Sequence, residues 1–155
     1  MRRSDREITD EKAIAAFLAH EQILRVGFYD KGEVYIVPVN YGCLFENGRY
    51  TFYFHGAKAG RKYQLCRSNP TVGFEVDGQY RLIEGETACQ YTASFQSVIG
   101  TGTLQIVEDA AEKQKGLNAL MQQATQSAEW EYSDALLNEV AVFKLTVQKI
   151  SCKGK

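Results

Sequence analysis

Two tight turns set between strand-like runs constrain this chain more than any other feature. Residues 23–29, Ile-Leu-Arg-Val-Gly-Phe-Tyr, are rich in strand formers, and Asp30-Lys31-Gly32-Glu33 turns them back into a second strand over residues 34–41. Glu46-Asn47-Gly48-Arg49 ends that strand and leads into a third, residues 50–54. Asn-Gly is hairpin chemistry, because both residues tolerate the left-handed backbone that a two-residue turn requires. Strands joined this way run antiparallel.

The rest of the chain keeps the same character. Thr9-Asp10 ahead of Ala13-Ile14-Ala15-Ala16-Phe17-Leu18 predicts an N-capped helix to about His20. A short helix over residues 61–67 is stopped by Asn69-Pro70. Residues 71–76 read as a fourth strand, and Asp77-Gly78 turns the chain into residues 79–83. A long strand within residues 93–107 contains Gly100 and Gly102, the mark of a bend or a close backbone approach. Asp109 then caps a helix whose apolar residues are Leu117, Leu120, Met121 and Ala124. Residues 128–138 read as irregular, or briefly helical around Trp130, and residues 140–150 as a final strand with one apolar face. Strand and helix do not alternate regularly, so a doubly wound parallel sheet is disfavoured. Six or more antiparallel strands with few helices point to a closed or half-closed barrel, which removes exposed edges.

A chain of 155 residues is sized for one domain, and its 45% hydrophobic content can build a core. A net charge of -1 gives no support to nucleic-acid binding. Arg2-Arg3 is not followed by an apolar segment, so an export signal is not expected, and no run approaches the roughly 18 apolar residues of a membrane span. Cys43, Cys66, Cys89 and Cys152 lie far apart without a C-x-x-C pair. They read as small buried or half-buried hydrophobes in a reducing cytoplasm, with neither a metal site nor a disulfide framework expected.

The run His55-Gly56-Ala57-Lys58-Ala59-Gly60-Arg61-Lys62 carries the clearest chemistry. Three cations crowd a helix start, where the macrodipole disfavours positive charge, and a bound phosphate removes that conflict. The competing reading is a solvated basic turn. Pro38, within Val37-Pro38-Val39-Asn40-Tyr41, cannot donate to a ladder and marks an edge or a bulge. A bulge beside a cofactor would leave backbone groups free to bond a flat polar ring. Ser97 opens a long strand and could meet a phosphate, and Trp130 and Tyr132 could stack on a ring or simply pack. No nucleophile–His–acid triad, paired-carboxylate spacing or nucleotide-binding glycine motif is present. If this chain is an enzyme, a cofactor carries the chemistry.

Taken together, Val37-Pro38-Val39-Asn40-Tyr41-Gly42, Tyr53-Phe54-His55-Gly56-Ala57, Gly60-Arg61-Lys62, Ser97-Val98-Ile99-Gly100, Trp130-Glu131 and Val140-Ala141-Val142 resemble the FMN-binding split-barrel superfamily. This is the fold of pyridoxamine 5′-phosphate oxidase, and the branch most similar is that of the nitroimidazole-resistance (Nim) proteins and their flavin-binding relatives. The opening Met1-Arg2-Arg3, with Asp5-Arg6 and the Ile8-Thr9-Asp10 helix start, is similar to that branch as well. The resemblance implies a single FMN-binding domain over residues 1–155, mainly β, built as a six-stranded antiparallel split β-barrel with a few peripheral helices. It implies a homodimer with FMN at the interface. Pro38, Val39, Asn40 and Tyr41 would line the isoalloxazine edge. His55, Gly56, Ala57, Lys58, Arg61 and Lys62 would surround the ribityl phosphate, with Ser97 and Val98 completing the contacts and Trp130 close to the cofactor.

The function this implies is an FMN-dependent oxidoreductase passing electrons from a small-molecule donor, such as a reduced nicotinamide, to nitroaromatic or similar small electrophiles. His55 is the candidate proton donor, since an ordinary imidazole titrates near neutrality. The alternatives are a structural His55 that bonds the loop backbone, a non-catalytic flavin-storage protein, and a split barrel that binds haem or a deazaflavin.

Overall fold

The computed structural model describes residues 3–127 and 130–155. The Met1-Arg2 opening and the start of the 128–138 segment therefore lie outside the described residues. After a 3-10 turn (Ser4–Arg6) and the short strand β1 (Glu7–Ile8), helix α1 spans Glu11–His20. Asp10 caps it, its side chain accepting from the Lys12 N–H at 3.0 Å, and Ile14, Phe17 and Leu18 turn inward at helical spacing. Strands β2 (Ile23–Asp30) and β3 (Glu33–Asn40) form the expected hairpin, with Lys31 and Gly32 both at positive φ.

The second strand departs from expectation at Tyr41. It ends at Asn40, and a further strand not anticipated from the sequence, β4 (Gly42–Glu46), follows and pairs through Asn47-Gly48 with β5 (Arg49–Ala57). Strands β3 and β4 stand at opposite ends of the sheet order, so the chain crosses the barrel at Tyr41. Tyr41 is buried there, its hydroxyl donating to the Leu18 carbonyl at 2.6 Å and its ring edge-on to Phe52.

Helix α2 (Arg61–Ser68) buries Leu65 and Cys66. Strand β6 then runs unbroken from Thr71 to Ile83, so Asp77-Gly78 is not a turn. Asp77 and Gly78 keep their partners Ser97 and Gln96 on the neighbouring strand, and only a register shift follows, with Gln79 at positive φ. Ladder pairing overrides the local turn chemistry. Strand β7 (Thr92–Val107) and the C-terminal β8 (Val140–Gly154) complete the sheet. Gly100 and Gly102 do mark a close approach: a Cβ on Gly100 would lie 2.2 Å from the Lys149 carbonyl oxygen, and one on Gly102 2.4 Å from that of Thr146.

Helix α3 (Ala110–Thr125) starts at the expected cap, Asp109 accepting from the Glu112 N–H at 2.8 Å. Its buried residues are Lys113, Gly116, Leu120 and Gln123 rather than the fully apolar set expected, and Ala124 is exposed. The helix packs on β4 and β5, where Gly116 makes room for the Tyr53 ring, Lys113 donates to the Leu137 carbonyl, and Gln123 donates to those of Leu18 and Glu21. Helix α4 (Asp134–Glu139) begins after Trp130, not around it.

The sheet has eight strands, all antiparallel, in the order β3-β2-β6-β7-β8-β5-β4 with β1 on β8. It is two strands larger than expected and does not close, because its two edge strands do not pair with one another. It still curls into a split barrel: Phe52 of β5 and Phe74 of β6 are three places apart in the sheet yet pack with ring centroids 5.1 Å apart. Phe28, Phe52, Phe54, Phe143, Leu104 and Leu145 fill the interior, each such side chain worth about 1.5–3 kcal/mol on burial. Cys66 and Cys152 are buried and Cys43 half-buried, but Cys89 is exposed on the β6–β7 connection, against expectation. No helix among the described residues is long and apolar enough to cross a membrane.

Candidate functional site

The basic run sits where β5 hands over to α2. His55, Gly56 and Ala57 are the last three residues of the strand, facing Val142, Ala141 and Val140 of β8, so the strand outlasts the Phe54 end expected from the sequence. Gly60, at φ 90°, is the N-cap of α2 and offers no side-chain cap, which leaves the first N–H groups of the helix open.

The three cations diverge. Lys58 donates to the Asn138 carbonyl. Arg61 is clamped by the β2–β3 hairpin: Nε donates to Asp30 at 2.8 Å and Nη2 to Glu33 at 3.0 Å, with the guanidinium 4.6 Å above the Tyr35 ring. These carboxylates, Glu33 foremost, push its pKa up. Lys62 folds back over the end of β5, its Nζ 5.4 Å from the Phe54 ring centroid and 5.1 Å from that of Phe143. Burial pushes its pKa down, and among the described residues no carboxylate pairs with it. Because side chains alternate along a strand, exposed His55 lies on the face of β5 opposite Phe54, Gly56 and the Lys62 ammonium. An open hollow of about 560 Å³ adjoins the α2 start, lined by Lys58, Gly60, Tyr63, Gln64 and Arg67 among others.

The remaining expected site residues lie elsewhere. Pro38 sits on edge strand β3 opposite Arg25 in an unbroken ladder, so the edge reading holds and no bulge is present. Pro38 and Asn40 are exposed, the Asn40 amide donating to the Gln22 carbonyl, whereas Val39 packs against the core and Tyr41 is buried. Ser97 is not at a strand start but within β7, between Asp77 and Lys153 of its neighbours. It borders a hollow of about 270 Å³ with Glu75, Ile99, Ser151 and Lys153. Val98 is fully buried, so any contact it offers a ligand is through its backbone. Arg25 bridges Glu75 and Asp77 nearby, and burial raises the pKa of Glu75. Trp130 is 40% exposed, its indole N–H donating to the Ser127 carbonyl.

These groups do not meet within one chain. His55 faces Val142 of β8 while Ser97 faces Lys153 of the same strand. Eleven residues separate those positions, roughly 36 Å along the strand. Asp30, Glu33 and Tyr35, which hold Arg61, were not singled out from the sequence. Asp30 and Glu33 read there only as turn residues, and no local signal ties them to an arginine 31 and 28 residues further on.

A family model described as pyridoxamine 5′-phosphate oxidase matches residues 10–154. Among curated proteins, none matches the chain. Among solved structures, a proposed 5-nitroimidazole antibiotic resistance protein from Bacteroides thetaiotaomicron is similar at 28% identity and a TM-score of 0.82, over 96% of this chain and 86% of that one. The flavocytochrome Anf3 from Azotobacter vinelandii shares the fold at 20% identity and a TM-score of 0.81, over 100% of this chain and 72% of that one. A FAD and haem binding protein from Mycobacterium smegmatis does so at 15% identity and a TM-score of 0.82, over 97% and 73%.

Proposed function

Since the chain belongs to the pyridoxamine 5′-phosphate oxidase family, we propose that it is an FMN-binding flavoprotein, a homodimer that reduces nitroaromatic or similar small electrophiles. One observation carries the flavin reading: the uncapped start of α2 borders an open hollow lined by Lys58, Gly60 and Tyr63, and in the first turn of that helix Lys62 holds its ammonium over Phe54 and Phe143 without a carboxylate partner among the described residues. Cation and helix N–H groups together make a phosphate seat, and the residues present fit a phosphate-bearing cofactor. Lys62, with Arg61 and Lys58 once released from their present partners, would hold the phosphate. The backbone at Gly56 and Ala57 would flank the ribityl chain. The exposed edge of β3 at Pro38–Asn40, continuing to Tyr41, would meet the ring, and Trp130 would shield it.

Bound there, FMN would supply electron and hydride transfer between a reduced nicotinamide, or another donor, and the acceptor. This chain's part is to anchor the phosphate, orient the ring and exclude water. His55, exposed at the end of β5, is the group to move a proton at its imidazole nitrogen. The separation of Ser97 from His55 supports a shared site, in which Ser97 and Val98 of the partner subunit would complete the contacts. The whole chain, residues 1–155, acts as one such domain, and four unpaired cysteines suit a cytoplasmic setting. The likeness to a proposed nitroimidazole-resistance protein supports the choice of acceptor.

The decisive experiment is the visible spectrum of the purified protein with the mass of the ligand released on denaturation, followed by nicotinamide oxidation with a nitro acceptor. FMN and turnover are expected. Flavin without turnover would leave a storage protein, and a haem spectrum would replace the flavin reading, a case kept in view by the haem-binding fold relative.

A further inference from the structure

We infer that Gly56 is a positioning residue of the proposed phosphate site: the space left by its missing side chain is the seat of the Lys62 ammonium. A Cβ built on Gly56 would stand 2.9 Å from Lys62 Nζ, 3.3 Å from its Cε and 3.5 Å from the Phe143 ring. Phe54 and Phe143 stack with centroids 5.1 Å apart and planes 15° apart, forming the floor over which the ammonium lies. Any side chain at position 56 pushes the flexible end of Lys62 off that floor.

The backbone does not ask for glycine here. Gly32, Gly48 and Gly60 are the positive-φ glycines among the described residues, and Gly56 lies in the regular β5–β8 ladder opposite Ala141. Glycine weakens a strand interior, so what it supplies at this position is room. The room is used by Lys62, the cation of the run without a polar partner among the described residues, since Lys58 and Arg61 are held by Asn138, Asp30 and Glu33. A half-desolvated ammonium held in place on a rigid aromatic floor is pre-organised for a dianion such as a phosphomonoester.

The inference rests on the phosphate reading for its functional consequence, but the seat itself is measurable without ligand. In the ligand-free protein, NMR titration of isotopically labelled lysine should show Lys62 Nζ titrating below the ordinary lysine range, and Gly56→Ala should return it towards that range. FMN affinity of Gly56→Ala should fall at least tenfold, and by a clearly larger factor than the affinity for riboflavin, which keeps the ribityl chain but has no phosphate. Lys62→Met should lose as much FMN affinity, and the double variant no more than either, because Gly56 acts through Lys62. Should Gly56→Ala not fold, recovery of folding in Gly56→Ala/Lys62→Met supports the seat, and failure of both overturns it. An unchanged Lys62 titration in Gly56→Ala, or equal losses for FMN and riboflavin, also overturns it. Should the unaltered protein bind neither flavin, the function proposed above fails while the lysine titration still decides the seat.

Discussion

At the scale of single residues, charge does more than the sequence pattern conveys. A cluster of three cations reads as one anion site, yet each has a separate place: Lys58 at the Asn138 carbonyl, Arg61 at Asp30 and Glu33, and Lys62 over Phe54 and Phe143. Arg61 shows why: its guanidinium is matched by two carboxylates on the β2–β3 turn, about 30 residues upstream. A phosphate arriving at α2 competes with Asp30 and Glu33 for Arg61. Asp30→Asn with Glu33→Gln should therefore tighten FMN several-fold, leave riboflavin unchanged, and steepen the salt dependence of FMN binding. A double variant that binds FMN more weakly would show that the carboxylates orient Arg61 instead of occupying it. Contacts of this kind were not legible, because nothing local to Asp30-Lys31-Gly32-Glu33 distinguishes a turn that merely reverses the chain from one that clamps an arginine. Side-chain direction at His55 was not legible either. It depends on β5 continuing through Ala57, and that continuation is set by pairing with β8.

Elements were legible where local chemistry and tertiary pairing agree. The Asp10 and Asp109 caps, the two hairpin turns and the Asn69-Pro70 stop all stand where the residues put them. They were illegible where the two conflict: Asp77-Gly78 is turn chemistry held straight by β7, and β4 is a five-residue strand whose partner lies beyond a turn. Helix α3 misled for a related reason. Its contact with β4 is a close backbone approach instead of an apolar stripe. A Cβ on Gly42 would stand 2.3 Å from the Ala119 backbone, and backbone cannot swing aside as a side chain can. Gly42→Ala should therefore force α3 off β4 and destabilise the protein by about 1–3 kcal/mol in urea unfolding. A loss below about 0.5 kcal/mol would mean that α3 floats on the sheet.

The same burial fixes a pH response. Burial raises the Cys43 thiol to about 12 and Cys66 to about 11, and burial first among other causes raises the Tyr50 and Tyr53 hydroxyls to about 12. Each is an acid whose folded pKa lies above its unfolded value, so the folded state keeps protons that the unfolded chain gives up. Stability is whole below pH about 9 and falls progressively as pH rises towards about 12. Urea midpoints at pH 8 and pH 11 should differ clearly, and Cys43→Ala should flatten part of that fall. A midpoint insensitive to alkali would show these groups to be solvated.

For the molecule as a whole, helix α3 covers the outer face of the sheet at β4 and β5, while apolar residues of β3 and β7 stay exposed on it. Val34, Ile36 and Ile99 are 72%, 60% and 55% exposed. The ladder pairs Ile36 with Gly27 and Gly27 with Gly73, leaving a shallow hollow of about 310 Å³ lined by Val34, Ile36, Arg25 and Glu75. Apolar residues at this exposure, rimmed by charge, are what an association surface looks like. A second copy across a two-fold axis would cover the face on both subunits with one set of contacts. The shared site proposed above requires the same axis to bring the partner's Ser97 to a His55 that its own Ser97 cannot reach along β8. On that proposal dimerisation and cofactor retention are one event, and a single substitution should abolish both. Ile36→Asp places a charge in this exposed patch without touching the core, since the inward residues of β3 are Tyr35, Val37 and Val39. Sedimentation should show the unaltered protein as a flavin-loaded dimer and Ile36→Asp as a folded monomer, its circular dichroism preserved and its flavin lost. A monomer that keeps a full complement of flavin would refute the shared site, and an Ile36→Asp protein that still dimerises would move the interface to another face of the barrel.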